Sequence, residues 1–339
     1  MGKILVTGGL GFIGSHTVVE LQNEGYEVVI IDNLSNSSIK VLDGIVAITG
    51  KQPIFEKFDL RDKHKVQEFF RIYQDITGVV HFAASKAVGE SVEKPLLYYE
   101  NNINTLVYLL QEFGKFEHSN FIFSSSCTVY GQADELPITE DAPVKTAESP
   151  YGNTKQIGEE IIRDTCKVHQ HFNAISLRYF NPIGAHESVK IGELPIGVPQ
   201  NLVPFITQTA AGLRSELSVF GNDYPTSDGT CIRDYIHVVD LAKAHVVALE
   251  RLMSHKNKSN YEVFNIGTGT GSTVLEVIQS FERVSGEKLN YKFADRRAGD
   301  VISAYANTKK ANTELGWKAK LSLDDAMASA WKWQKSLNF

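Results

Sequence analysis

Tyr151 and Lys155 stand one helical turn apart, so a phenol and an ammonium can address a single point from the same helix face. Ser149-Pro150 immediately before them starts a helix well, with serine as N-cap and proline at the first helical position. A phenol titrates at about 10 and is a poor base at neutral pH, but a neighbouring positive charge stabilises the phenolate and lowers that value. The pair therefore suits proton transfer to and from a hydroxyl. Spacing alone proves little: with 13 tyrosines in the chain, roughly one such match is expected by chance. Tyr305 and Lys309 are a second match, which we read as the accidental one. Context separates the two. Tyr151 follows an apolar run, Phe121-Ile122-Phe123, that ends in Ser124-Ser125-Ser126. The C-terminal end of such a strand opens on a cleft, where Ser126 can hydrogen-bond a substrate hydroxyl.

A second constellation lies at the start of the chain. Gly8, Gly9, Gly11 and Gly14 directly follow the strand Lys3 to Thr7 and open the next helix with Phe12 and Ile13. Glycines there let the backbone turn sharply and approach a pyrophosphate, whose charge the N–H groups of the helix N-terminus stabilise. Asp32 ends the second strand at the distance where a carboxylate takes the adenosine ribose of a dinucleotide. The same carboxylate repels a 2′-phosphate, so the cofactor expected is NAD. Its positive nicotinamide ring would also favour the Tyr151 phenolate.

Elements must place these groups. Short β-rich runs at 3–7, 27–32, 54–59, 78–83, 120–125 and 174–179 alternate with helical patterns at 13–25, 66–73 and 96–113. Several runs are continuously apolar, as strands buried on both faces must be. Repeated strand–helix–strand units force an α/β fold, a doubly wound parallel (Rossmann) sheet. Residues 181–235 break the pattern, being rich in Gly, Pro and Asn with no regular alternation. A helix at 239–253 and a strand at 263–266 resume it, and a helix at 323–335 lies near the end. We expect an NAD-binding domain from 1–180 and 236–267, and a smaller mixed α/β lobe for the substrate from 181–235 and 268–339. A cleft between such lobes is a usual small-molecule site.

The bulk properties exclude several classes. A net charge of -6 argues against non-specific nucleic-acid binding. No apolar run approaches the ~18 residues of a membrane span. The first strand begins almost at the initiator, which leaves no room for a targeting segment, so a cytoplasmic protein is expected. Cys127, Cys166 and Cys231 form no close pair and read as small buried hydrophobes, with neither a disulfide framework nor a metal site.

Longer stretches carry a resemblance. They are His81-Phe82-Ala83, Lys86 to Ser91, Ser124 to Gly131, Ser149 to Gly152, Leu177 to Pro182, Phe220 to Thr226 and Arg233 to His237. Together with the glycine and Tyr–Lys patterns they resemble the UDP-hexose 4-epimerases of the extended short-chain dehydrogenase/reductase family over essentially the whole chain. The resemblance implies that Tyr151 is the acid/base at the hexose 4-hydroxyl, with Ser126 as its hydrogen-bonding assistant. Lys155 would clamp the nicotinamide ribose. Besides Gly8, Gly11, Phe12, Ile13, Gly14 and Asp32, the implied NAD site contains Asn33, Asn36, Asp59, Leu60, Phe82, Ala83, Lys86, Asn101, Phe180 and the Tyr151–Lys155 pair. Lys86, Ser126, Tyr151, Asn181, Asn201, Leu202, Phe220, Arg233, Tyr235, Arg297, Asp300 and Ala304 would hold the UDP-sugar, the two arginines at its diphosphate. One departure is Ala84-Ser85 in place of the Gly-Leu expected before Lys86. Ser85 adds a hydrogen-bonding group there.

The implied reaction withdraws hydride from C4, lets the 4-keto sugar turn its other face, and returns the hydride with inversion. The NAD must then stay bound throughout. Rival chemistries on the same fold are 4,6-dehydration, decarboxylation and 4-reduction, and a rival from another class is a catalytically silent NAD sensor. A 4,6-dehydratase would carry Thr-Asp-Glu where this chain has Ser126-Cys127-Thr128. Epimerases restricted to plain hexoses tend to carry Tyr at the position of Ala304, so its small side chain implies that UDP-GlcNAc/UDP-GalNAc are turned over alongside UDP-glucose/UDP-galactose. By the same analogy, the helices within 90–115 and 150–170 would pair across a homodimer.

Overall fold

A computed structural model describes residues 2–297 and 300–337 of the chain. Its first half alternates strands and helices. These are β1 (Lys3–Thr7), α1 (Phe12–Asn23), β2 (Val28–Ile31), α2 (Lys40–Thr49), β3 (Ile54–Glu56), α3 (Lys63–Ile72), β4 (Ile76–His81), α4 (Val88–Glu93), α5 (Pro95–Phe113), β5 (Ser119–Ser126), α6 (Pro150–Val168) and β6 (Phe172–Tyr179). The second half contains β7 (Asn181–Ile183), α7 (Leu202–Ala210), β8 (Leu217–Phe220), β9 (Ile232–Arg233), β10 (Tyr235–His237), α8 (Val238–Met253), β11 (Tyr261–Ile266), β12 (Ser272–Thr273), α9 (Val274–Ser285), β13 (Tyr291–Ala294), β14 (Ser303–Ala304) and α10 (Leu323–Ser336).

Seven strands form one sheet in the order β11-β6-β5-β4-β1-β2-β3, and every pairing in it is parallel. Side chains alternate between its faces. Ile4, Val6, Val28 and Ile30 enter a cluster with α1 and α8, while Leu5, Val29 and Ile31 enter the opposite cluster with α3 and α5. Both faces are buried, which is why these strands read as unbroken apolar runs. Strand order reverses between β1 and β4, and the crevice at such a switch point is where this architecture binds ligands.

Three local expectations need correction. The run at 54–59 is a strand only to Glu56, because Asp59 turns to hold the backbone N–H of Arg61. Helix α2, whose apolar face is short, is absent from the sequence reading. The segment 181–235, expected to be irregular, contains α7 and four short strands, two of which pair outside the main sheet as β7 with β10. A third apolar cluster, including Ile183, Ile206, Tyr235, Phe281, Met327 and Trp331, packs α7, α9 and α10 away from the sheet.

Candidate active site

The glycine loop occupies the switch point. Gly8 has a left-handed φ of 66°, and a Cβ on Gly14 would lie 2.2 Å from the Gly8 carbonyl oxygen. Neither position tolerates a side chain. Helix α1 begins at Gly11 with no side-chain cap, so its first N–H groups stay available for an anion. Asp32 is buried and already organised: Oδ2 accepts from Leu10 N at 3.1 Å, and Oδ1 accepts from Leu34 N at 2.9 Å and Ser37 Oγ at 2.8 Å. A carboxylate offers about four acceptor positions, which leaves room for a ribose hydroxyl. A cradle that a Cβ would fill and an oriented carboxylate beside it fit a dinucleotide.

Neighbouring residues form the rest of this wall. Asn33 donates to Asp59 at 3.0 Å, and Arg61 grips the same carboxylate, holding it down at about 2. Leu60 is buried and Asn36 is exposed. Phe82 packs on His245 at 4.7 Å between ring centres, and its N–H and that of Ala83 bond to Thr7. Ser85 does add its hydrogen bond, accepting from Asn101 at 3.1 Å. Asn102, which the sequence reading passed over, takes Ser85 N at 2.8 Å and donates to Thr154 of α6 at 3.0 Å. It thereby ties this loop to the helix that carries Tyr151.

Ser126, Tyr151 and Lys155, the expected catalytic trio, sit where β5 ends and α6 begins. Ser149 caps α6, accepting from Gly152 N, with Pro150 in the first turn. Lys155 is buried, and its Nζ donates to the Ser124 carbonyl at 2.7 Å while lying 5.7 Å from the centre of the Tyr151 ring. Burial pulls the ammonium down to about 8, against the opposing pull of Glu159. Burial also pushes the Tyr151 phenol up to about 12, partly offset by the nearby Ser126 hydroxyl. Here the ammonium is turned toward the Ser124 carbonyl, so in the protein alone desolvation of the phenolate dominates; the lowering expected from Lys155 together with the nicotinamide ring belongs to the NAD-bound site. Beneath the trio, Glu159 receives Ser125 Oγ at 2.5 Å and a two-point grip from buried Arg178 at 2.9 and 2.6 Å. Neither residue was singled out from the sequence, although Tyr151, Lys155 and Glu159 follow one another at single-turn spacing. Tyr305 and Lys309 share no helix, since Tyr305 extends from β14 and Lys309 starts the following helical turn.

The other wall brings the arginines together. Arg233 and Arg297 both meet the Asp300 carboxylate at 3.4 Å, and the Arg297 guanidinium lies 4.7 Å from the Phe220 ring centre. Ala298 and Gly299, between Arg297 and Asp300, lie outside the described residues. Asn181 pairs with Tyr235 across β7 and β10. Asn201, just before Leu202 at the start of α7, is exposed and donates to Glu193 at 2.6 Å, and Glu193 also meets Lys86 at 3.5 Å. Those two expected contacts thus meet each other through a carboxylate not anticipated from the sequence.

Ala304 pairs with Arg233 and packs in a small cluster with Val129, Tyr130 and Phe180. Strand alternation turns the Tyr305 ring toward Gly271 instead. Cys127 borders this cluster, directly follows Ser126 and is less buried than Cys166 and Cys231; desolvation still raises its thiol to about 11.

A switch-point dinucleotide cradle beside a Ser–Tyr–Lys trio on β5 and α6 is the arrangement of an extended short-chain dehydrogenase/reductase. The family model described as GDP-mannose 4,6 dehydratase matches residues 5–330. UDP-glucose 4-epimerase of Bacillus subtilis is 51% identical over 333 residues, 98% of this chain and 97% of that one. The structure of UDP-glucose-4-epimerase from Stenotrophomonas maltophila with bound NAD and formylated UDP-arabinopyranose superposes with a TM-score of 0.95, at 45% identity over 99% of this chain and 98% of the other. That of the Bifidobacterium longum enzyme with NAD+ and UDP gives 0.94, at 46% identity and 98% of each chain. The chain belongs to the UDP-glucose 4-epimerases of this family.

Proposed function

We propose that this chain inverts C4 of UDP-hexoses with a retained NAD. The observation that carries the reading is the juxtaposition of Ser126, Tyr151 and Lys155 with the cluster of Arg233, Asp300 and Arg297: Cys127, next to Ser126, packs against the apolar cluster of Ala304, which pairs with Arg233. Proton-transfer chemistry for one hydroxyl faces a charge clamp for a diphosphate.

When bound, NAD supplies a hydride acceptor that becomes a donor. The glycine loop and the α1 N-terminus would hold its pyrophosphate and Asp32 its ribose, with Asp59, Leu60, Phe82, Ala83, Lys86, Asn101 and Phe180 along its length. Tyr151 takes the proton of the 4-hydroxyl and later returns it, while Ser126 orients that oxygen. Lys155, fixed by the Ser124 carbonyl, would hold a positive charge beside the nicotinamide ribose. Arg233 and Arg297 keep the diphosphate in place while the 4-keto sugar turns.

Ala304 supports a broader substrate range. Packed beside Phe180, its methyl takes up far less volume than a tyrosine ring at that position would, and a close-packed wall does not yield such volume cheaply. Purified protein incubated separately with UDP-galactose and UDP-GalNAc should interconvert both epimer pairs. The denatured enzyme should release near-stoichiometric dinucleotide that was never supplied. Net accumulation of NADH, or no epimer from either sugar, would overturn the reading. Ala304→Tyr should suppress only the N-acetylated pair, and equal effects on both would remove the gate.

The two-lobe division at residues 180/181, 235/236 and 267/268 is supported by the separate apolar cluster of the second lobe. A homodimer through α5 and α6 is supported by a shallow depression lined by Val107, Leu110, Gln111, Ile161, Thr165 and His169, and light scattering on purified protein tests it. No helix among the described residues is long and apolar enough to cross a membrane, and three free cysteines accord with a reducing, cytoplasmic setting.

A further inference from the structure

Two adjacent arginines, 296 and 297, lie on two aromatic rings four residues apart. Arg297 covers Phe220 and Arg296 covers Tyr224, the latter at 4.1 Å from guanidinium carbon to ring centre. Arg296 is held at further points. Its Nε donates to Asp223 Oδ1 and its Nη2 to the Asp223 carbonyl, both at 2.7 Å. Its stem runs past Gly221, where a Cβ would sit 3.0 Å from Arg296 Cγ and 2.4 Å from the Tyr224 ring. Gly221 has a φ of 78° and donates its N–H to Ala294 O at 2.8 Å, closing the β8–β13 ladder.

We infer that Arg296 is a positioning residue for nucleotide binding: it fastens the loop bearing Arg297 and Asp300 to the segment bearing Phe220, and so presets the diphosphate clamp. The inference rests on the assignment of those three residues to the UDP moiety. A bland alternative is a surface ion pair with no consequence. The side chains of Arg296 and Asp223 are indeed 42% and 68% exposed, and such a pair contributes little to folding. That is the useful point. With little role in stability, the contact still joins two chain segments far apart in sequence that must keep their relative position for one ligand. Without it, binding must order the loop, and that ordering comes out of the affinity. The planar guanidinium fork serves the stack and both hydrogen bonds at once, which an ammonium cannot do.

The test is steady-state kinetics with UDP-galactose and calorimetric binding of UDP alone, on the wild-type enzyme and the Arg296→Ala, Arg296→Lys and Asp223→Ala variants. Arg296→Ala should raise KM and weaken UDP binding about tenfold while kcat stays within about twofold, with Tm nearly unchanged. Arg296→Lys should recover only part of the affinity. Combining Arg296→Ala with Asp223→Ala should cost little more than Arg296→Ala alone, since both remove one contact. Unchanged UDP affinity in Arg296→Ala, or a loss confined to kcat, overturns the inference. If Arg296→Ala lowers Tm substantially, Asp223→Ala decides by the same criteria. A wild-type protein that does not bind UDP overturns the functional reading itself, a failure distinct from wild-type binding that the variants leave intact.

Discussion

The two charged regions of the candidate site hold charge in opposite ways. On the wall of β5 and α6, charge is buried and fully engaged. Lys155 is 4% exposed with its ammonium on a carbonyl, and Arg178 and Glu159 beneath it form a buried, doubly hydrogen-bonded pair. On the wall of Arg233 and Arg297, the arginines share one carboxylate at 3.4 Å, and the Arg297 side chain is 56% exposed. Proton transfer needs reacting atoms fixed to a fraction of an ångström in a dry setting. Gripping a diphosphate needs cations whose present partner can be exchanged for phosphate oxygens. On the proposed assignment, tight contacts go with the chemistry and long, half-open contacts with the ligand clamp.

The contrast can be broken most forcefully at Tyr151. Tyr151→Phe keeps the ring and removes the acid/base, so turnover should fall roughly 10²–10⁴-fold with UDP binding little changed. A variant whose loss lay mainly in UDP affinity would erase the distinction between the walls. Lys155→Met should remove most activity as well.

At the clamp the expected effect is smaller and falls on the other parameter. Arg233→Ala should weaken UDP binding by roughly 10- to 100-fold, because it strips a charge-assisted contact from the diphosphate. Arg297→Ala should cost less, since its side chain is the more exposed. A drop in kcat at constant KM for either variant would place the arginine with the chemistry.

A pH profile sharpens the buried wall. The folded protein releases the Lys155 proton at about 8, whereas the unfolded chain keeps it up to the ordinary 10.5. Between those values the unfolded state binds more protons, so this group makes stability rise with pH across the window. Comparing melting of wild type and Lys155→Met from pH 7 to 10 isolates the contribution, which should appear in wild type and be absent from the variant. Parallel curves would mean that Lys155 is not held in a desolvating site.

The smallest effect is expected at Tyr305→Phe, within about twofold of wild-type turnover, because its ring lies against Gly271 and its partner Lys309 shares no helix with it. A loss matching that of Tyr151→Phe would transfer the acid/base role.

Much of this molecule is a direct consequence of local sequence. Apolar runs long enough to bury both faces imply the parallel sheet, and Gly8 to Gly14 with Asp32 imply a dinucleotide at its switch point, because backbone sterics and strand period act over a few residues. Ser149-Pro150 sets the start of α6 and hence the common face of Tyr151 and Lys155. The three-dimensional fold decided what depends on groups remote in sequence. Arg178 of β6 meets Glu159 of α6, Asn102 joins Ser85 to Thr154, and Glu193 bridges Lys86 and Asn201. It also decided how dry the Tyr151 phenol is: a helix turn puts the ammonium and the phenol on one face, but how much water remains around them is set by every element packed there, and burial pushes the phenol up.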